Sequence, residues 1–236
     1  MWLNEEQIVD AAVRSYRRSF RCSGPQLVVV DHLFDPVKLD QVIDILKHSN
    51  NWTTQTHTYA ALHVGPEQWQ ASSKKDRFVK RDIWQKDDPV ANEGLNCLAR
   101  DFLLFLRSQD FMSLLSRICN VTLTDQNVMS PTINTNYFRL GAPDFVKQHA
   151  DDSPGRALCM LLYLNKEWQD MQGGELIFSG KDDKEIVICP VFNRCVLFDP
   201  SSEGSEHRVN ALSDIDKTNK CISHYRYNIT SWYWSQ

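Results

Sequence analysis

No stretch of this sequence approaches the ~18 consecutive apolar residues that a membrane-spanning helix needs. Its first twenty residues, MWLNEEQIVDAAVRSYRRSF, lack the apolar centre of a secretory signal. Positive charge is also short: the formal net charge is −4 and the isoelectric point near 6.0, so no global field draws the chain to nucleic acid or to an anionic membrane. None of the seven cysteines stands in C-x-x-C spacing, and Cys159, Cys189 and Cys195 fall inside apolar runs. That pattern fits small buried hydrophobes in a reducing compartment better than a disulfide framework or a zinc site, and a cytoplasmic location is expected. Asn51, Asn120 and Asn228 open Asn-x-Ser/Thr triplets, which carry no weight without a secretory route. Internal repeats and low-complexity tracts are absent.

What is present is an ordinary globular balance, 42% hydrophobic and 24% charged over 236 residues, enough to bury a sizeable core. One domain over residues 1–236 is expected, in two parts. Residues 1–120 read mainly as helical support. Apolar positions recur at three-to-four spacing over 5–20, 36–49 and 93–118, Asp35-Pro36 forms a helix-start signal, and the last stretch is expected to break near Ser108 to Asp110. QLVVVDHLF is a strand between the first two helices. Residues 72–88, SSKKDRFVKRDIWQKDD, are dense in charge and read either as a solvated loop or hairpin or as a mobile flap. From about residue 121 the period changes to short β-rich runs parted by turn residues. A mainly β fold follows, a sandwich or barrel backed by helices.

Within that half, KQHADD (147–152) places His149 and Asp151 two residues apart. In a strand, residues at that spacing share a face, and an imidazole with a carboxylate can ligate one cation. A second histidine from a neighbouring strand would complete the facial triad that suits non-haem Fe(II). His207, 56 residues beyond Asp151 at the start of a strand-like run, is the candidate; a surface loop histidine is the alternative. In RYNITSWYW, alternation sets Arg226, Asn228, Thr230 and Trp232 on one face. If that face points inward, a buried guanidinium needs an anion, and a dicarboxylate ligand would supply one. An internal ion pair or the opposite facing would serve equally on this pattern alone.

H-A-D at 149–151, His207 and RYNITSWY (226–233) resemble the Fe(II)/2-oxoglutarate dioxygenases of the prolyl 4-hydroxylase type. LLYLNKEW (161–168), GGELIF (173–178) and RCVLFD (194–199) are similar, in the same order, to the hypoxia-factor prolyl hydroxylases, and HAD with GGELIF resembles the collagen prolyl 3-hydroxylases. The resemblance covers roughly residues 133–234 and implies a double-stranded β-helix, or jelly-roll, core. It implies His149, Asp151 and His207 as iron ligands and Arg226 as partner of the distal carboxylate of 2-oxoglutarate. Thr230 and Tyr163 would add hydrogen bonds to that carboxylate, and Tyr137 would approach the cofactor or substrate. Fe(II) and 2-oxoglutarate are the implied cofactors, with ascorbate as a reductant; dioxygen is the co-substrate.

The implied reaction couples oxidative decarboxylation of 2-oxoglutarate to hydroxylation. Asp151 favours that outcome, because related halogenases carry a small residue there. A peptidyl residue, proline first, is the leading substrate; a free amino acid or other small metabolite is the alternative within enzymes, and a non-catalytic β-sandwich binding module the alternative outside them. Neither nucleic acid nor membrane is an expected partner. Arg81, Trp84 and Trp232 are candidate substrate contacts, with Trp168 nearby. Arg226 lies nineteen positions after His207, more than the family pattern, and 211–225 is expected to hold a loop or hairpin at the site mouth.

Overall fold

Alternating apolar residues over the second half of the chain build a sheet with two buried faces, and helices from the first half cover one of them. In the computed structural model, residues 1–86, 96–126, 128, 131–166, 168, 173–212 and 225–235 are described. Helices α1 (Asp10–Cys22), α2 (Pro36–His48), α3 (Pro66–Ala71), α4 (Asn96–Leu106) and α5 (Gln109–Cys119) all lie in the first half. The Asp35 carboxylate accepts from Val37 and Lys38 N–H at 2.9 and 3.0 Å and so starts α2, with Pro36 in the first turn. Ser108 caps α5 through the Phe111 N–H, which accounts for the expected break in the long helical pattern.

Twelve strands are described: β1 (Leu27–Asp31), β2 (Trp52–Thr58), β3 (Arg77–Trp84), β4 (Leu123–Thr124), β5 (Thr135–Leu140), β6 (Phe145–His149), β7 (Arg156–Tyr163), β8 (Leu176–Phe178), β9 (Ile186–Ile188), β10 (Arg194–Phe198), β11 (His207–Val209) and β12 (Arg226–Ser235). They form one antiparallel sheet in the order β1-β10-β7-β12-β5-β3-β6-β11-β8-β9, with β2 on β3 and β4 on β12. The two ends of that path fold over one another. Phe178 of β8 meets Phe198 of β10 edge to face at 5.0 Å although those strands share no ladder, and Leu176, Phe178, Val196, Phe198 and Tyr163 form one buried cluster. This rolled antiparallel sheet is the expected mainly β, jelly-roll core.

Strand parity divides the core. Leu158, Met160 and Leu162 of β7 and Tyr227, Ile229 and Tyr233 of β12 join Phe34, Leu39, Phe102 and Phe111 in the helix-side cluster. Cys159, Leu161 and Tyr163 point to the interior of the roll. The helices thus stiffen one face and leave the other free for a cavity.

Two expectations about the first half are corrected. Residues 1–120 are not only helical support, because β2 and β3 belong to the same sheet as β5 and β6. The middle of the charged segment 72–88 is neither solvated loop nor flap: residues 77–84 are the strand β3, paired antiparallel with β2, whose alternation sends Asp82 outward to Arg139 and Thr54 while Arg81 faces the cavity. Residues 87–88 and 213–224, most of the expected loop between His207 and Arg226, lie outside the described residues.

Candidate metal and carboxylate site

His149 ends β6 and His207 begins β11, and the two are direct cross-strand partners. Paired residues share a sheet face, so the register alone brings the imidazoles together, with ring centroids 4.4 Å apart. Asp151 joins them differently from expectation: it lies two residues beyond the end of β6, in the connection to β7. One ligand atom from each of the three lies within 4.8 Å of the others.

Each imidazole is oriented from behind. Lys147 O is 2.8 Å from His149 Nδ1 and Ser205 O is 3.0 Å from His207 Nδ1. A carbonyl only accepts, so each Nδ1 carries the proton and each Nε2 offers a lone pair. Burial and the neighbouring His149 push His207 down to about 4, which keeps it neutral at physiological pH. Burial pushes the Asp151 carboxyl up, but His207, His149, Arg156 and Trp232 outweigh it and hold it below the ordinary range. Its oxygens accept from Arg156 Nη1 at 3.2 Å and Trp232 Nε1 at 3.0 Å. Two imidazoles held from behind and one held carboxylate are the donor set of a hard-to-borderline divalent cation with open positions.

Deeper in the same cavity of about 770 Å³ lies Arg226, only 1% exposed. Its Nη1 donates to Asn228 Oδ1 at 2.9 Å, while Nε and Nη2 have no hydrogen-bond partner among the described residues. Burial lowers its pKa, opposed by Tyr163, whose ring lies 4.9 Å from the guanidinium and whose hydroxyl is also unpaired. Asn228 orders the rest. A guanidinium cannot accept, so Asn228 must present its oxygen to Arg226 and its amide to Thr230 Oγ1, 3.0 Å away. Thr230 is thereby used as an acceptor, and its O–H is free to donate. Arg226 Nε and Nη2, the Thr230 O–H and the Tyr163 O–H can all donate into this part of the cavity, which suits an anion. Gly174, at φ +79°, makes room: a Cβ there would stand 2.9 Å from both Arg226 Cδ and Trp168 Cη2.

The other sequence-derived candidates divide by strand parity. Trp232 and Arg81 line the cavity. Tyr137 and Trp84 do not: Tyr137 donates to Ala99 O at 2.8 Å and Trp84 Nε1 to Ser49 Oγ at 2.9 Å, both in the helix-side core. The register explains the correction. Tyr137 pairs with outward Ile229, whereas Asn136 and Phe138 pair with inward Thr230 and Asn228. Arg81 and Trp84 are three apart on one strand and so cannot share a face. Trp168 lies beside Gly174 with its Nε1 buried and unpaired. Asn228 was placed on the Arg226 face from sequence but given no role, and Arg156, Asn136 and Phe138 were not singled out. Parity counted from Arg226 across β5 would have found the last two.

Residues 135–234 match the family model described as the 2OG-Fe(II) oxygenase superfamily. The chain is 28% identical over 149 residues to the Mus musculus prolyl 3-hydroxylase OGFOD1, a match over 61% of this chain and 26% of that protein. Among solved structures it resembles a Pseudomonas putida prolyl-4-hydroxylase, with a TM-score of 0.61 and 15% identity over 94% of this chain and 98% of the other. It also resembles a Trichoplax adhaerens prolyl hydroxylase solved with a hypoxia inducible factor oxygen degradation domain peptide fragment, with a TM-score of 0.58 and 20% identity over 97% and 96%.

Proposed function

We propose that this chain, which carries a 2OG-Fe(II) oxygenase superfamily domain over residues 135–234, is a hydroxylase that uses Fe(II) and 2-oxoglutarate to oxidise a peptidyl residue, proline first. One observation carries the reading: a convergent His-Asp-His set shares its cavity with a buried guanidinium whose Nε and Nη2 lack a hydrogen-bond partner among the described residues. The residues fit both absent groups. His149, Asp151 and His207 would hold the metal, and Arg226 with Tyr163 and Thr230 would take the distal carboxylate of the keto-diacid. Bound together, Fe(II) and 2-oxoglutarate supply dioxygen activation coupled to decarboxylation, giving succinate, CO₂ and a hydroxylated carbon.

The chain's own contribution is placement. Lys147 and Ser205 carbonyls fix the imidazole tautomers, Arg156 and Trp232 fix the Asp151 carboxylate, and the apolar walls around Phe138, Leu161 and Leu176 keep competing water low. The relatives named as prolyl hydroxylases support proline as the target. No helix is long and apolar enough to cross a membrane among the described residues, and the free cysteines described, including buried Cys159 and Cys195, support placing the chain in the reducing cytoplasm.

The test supplies Fe(II), 2-oxoglutarate and ascorbate in air, with proline-bearing peptides in one series and free amino acids in another. Peptide-stimulated succinate and a 16 Da gain on proline are expected. No succinate under any condition, together with no visible charge-transfer band on anaerobic addition of Fe(II) and 2-oxoglutarate, would return the chain to the class of binding modules.

A further inference from the structure

The hydroxylase reading assigns Arg226 but leaves a second guanidinium in the same cavity without a task. Four Arg and Lys side chains line that cavity: Arg81, Lys86, Arg156 and Arg226. Arg156 is paired with Asp151, Lys86 donates to Thr135 O and Asn136 Oδ1, and Arg226 serves the keto-diacid. Arg81 differs. Its Nε donates to Gln55 Oε1 at 3.1 Å and its guanidinium carbon lies 3.5 Å from the centre of the Phe138 ring; its two Nη groups have no protein acceptor among the described residues.

Anchoring Nε on Gln55 and laying the plane on Phe138 fixes the fork. Adjacent Asp82 cannot neutralise it, because strand alternation commits that carboxylate to Arg139 and Thr54 on the opposite face. Burial pushes Arg81 down to about 10, with attraction from Asp151 and repulsion from Arg226, so the cation is already strained before anything covers it. A substrate seated over the metal would desolvate the guanidinium further unless it brings its own anion.

The cavity mouth adds a second constraint. Tyr59, Leu62 and Ile133 are 56%, 65% and 64% exposed and border the opening, an apolar rim that suits a chain lying across it with one polar group directed inward.

Resting on the hydroxylase reading, we infer that Arg81 reads a carboxylate of the substrate, so that the residue oxidised is one that stands beside an acid. Two sources share this chemistry: an Asp or Glu side chain next to the target, and a free terminal carboxylate. The binding test uses protein loaded with Mn(II) and 2-oxoglutarate, which does not turn over, and fluorescein-labelled proline-centred peptide pools read by anisotropy. Matched pools carry Asp or Asn at the flanking positions, each with a free or an amidated C-terminus.

Asp pools are expected to bind at least about tenfold more tightly than Asn pools, the ~1.4 kcal/mol or more of a charge-assisted pair. If the terminal carboxylate is the source, free pools beat amidated ones instead. Arg81→Gln should erase the preference, and Arg81→Glu should turn it toward Lys-bearing pools. If Arg81→Gln unfolds early, Gln55→Ala, which removes only the anchor of Nε, must shrink the same ratio.

Equal binding of all acid and amide pairs by the wild type, or a preference that survives Arg81→Gln, overturns the inference. Those failures are separate from failure of the parent reading. Succinate formed with Fe(II) but no acid preference sinks Arg81 alone, whereas no 2-oxoglutarate binding and no succinate sinks the hydroxylase.

Discussion

Along β12, Tyr227, Ile229, Ser231 and Tyr233 face the helices, while Arg226, Asn228, Thr230 and Trp232 face the cavity. On the helix side polar atoms are consistently satisfied: Tyr233 donates to Leu106 O at 2.9 Å, and Ser231 lies between Thr135 and an Arg107 that also donates to Trp232 O and pairs with Asp125. On the cavity side Arg226 is equally buried, yet two of its nitrogens and the Tyr163 hydroxyl beside it have no hydrogen-bond partner among the described residues. Native interiors rarely leave buried donors unpaired, so the contrast separates stability from function within a single strand. Helix-face polar groups hold the fold, and cavity-face polar groups wait for a ligand.

The strongest way to break the contrast is to remove the carboxylate of the metal set. Asp151→Ala deletes a ligand and the acceptor of Trp232 Nε1, and leaves Arg156 only the backbone carbonyl of residue 151. Succinate formation is expected to fall by about 10³-fold or more, the scale associated with losing a group on which the reaction depends, with the Mn(II)-induced thermal shift lost as well. A variant that keeps both would show that the three side chains do not hold the cation.

A subtler break reverses the polarity of the inner face without changing its shape. Asn228→Asp replaces an oxygen-and-amide pair by two acceptors. The new carboxylate neutralises Arg226 at close range, and Thr230 must turn its O–H toward residue 228, away from the ligand. The KM for 2-oxoglutarate should rise about 100-fold, consistent with the ~1.5–3 kcal/mol of a hydrogen bond to a charged group, while the carboxamide analogue of the keto-diacid loses far less. Equal losses for acid and amide would mean that Asn228 only fills space.

Much of this contrast was legible in the sequence. The β-rich runs and the shared face of Arg226, Asn228, Thr230 and Trp232 follow from period-two alternation, which survives packing because slipping by one residue inverts a whole face, whereas the joining of His207 to the H-x-D segment rested on the family resemblance. What escaped was cross-strand parity. Tyr137 and Trp84 were chosen for their chemistry, but neighbouring strands fix which residues of TNYFRL and RFVKRDIW look inward, and those registers are long-range facts. Segment 72–88 misled for a related reason. Its charges mark a strand with an ion-paired outer face and a cationic inner one, and local composition cannot separate that from a solvated loop. Asp151 sits beyond its strand because three donor directions must converge, which tertiary placement decides.

The finest test applies one substitution to the two sides of the sheet. Tyr137→Phe removes a hydroxyl whose bond to Ala99 O joins β5 to α4, so unfolding free energy should fall by about 1 kcal/mol with 2-oxoglutarate affinity unchanged. Tyr163→Phe removes a hydroxyl that has no hydrogen-bond partner among the described residues, so stability should hold or rise slightly while 2-oxoglutarate affinity drops roughly fivefold to tenfold, a charge-assisted bond's share. Chemical denaturation and equilibrium binding of 2-oxoglutarate read the two effects independently. If both variants lose stability alike and neither loses affinity, the unpaired phenol is ordinary core, and the division between the two faces fails at its most sensitive point.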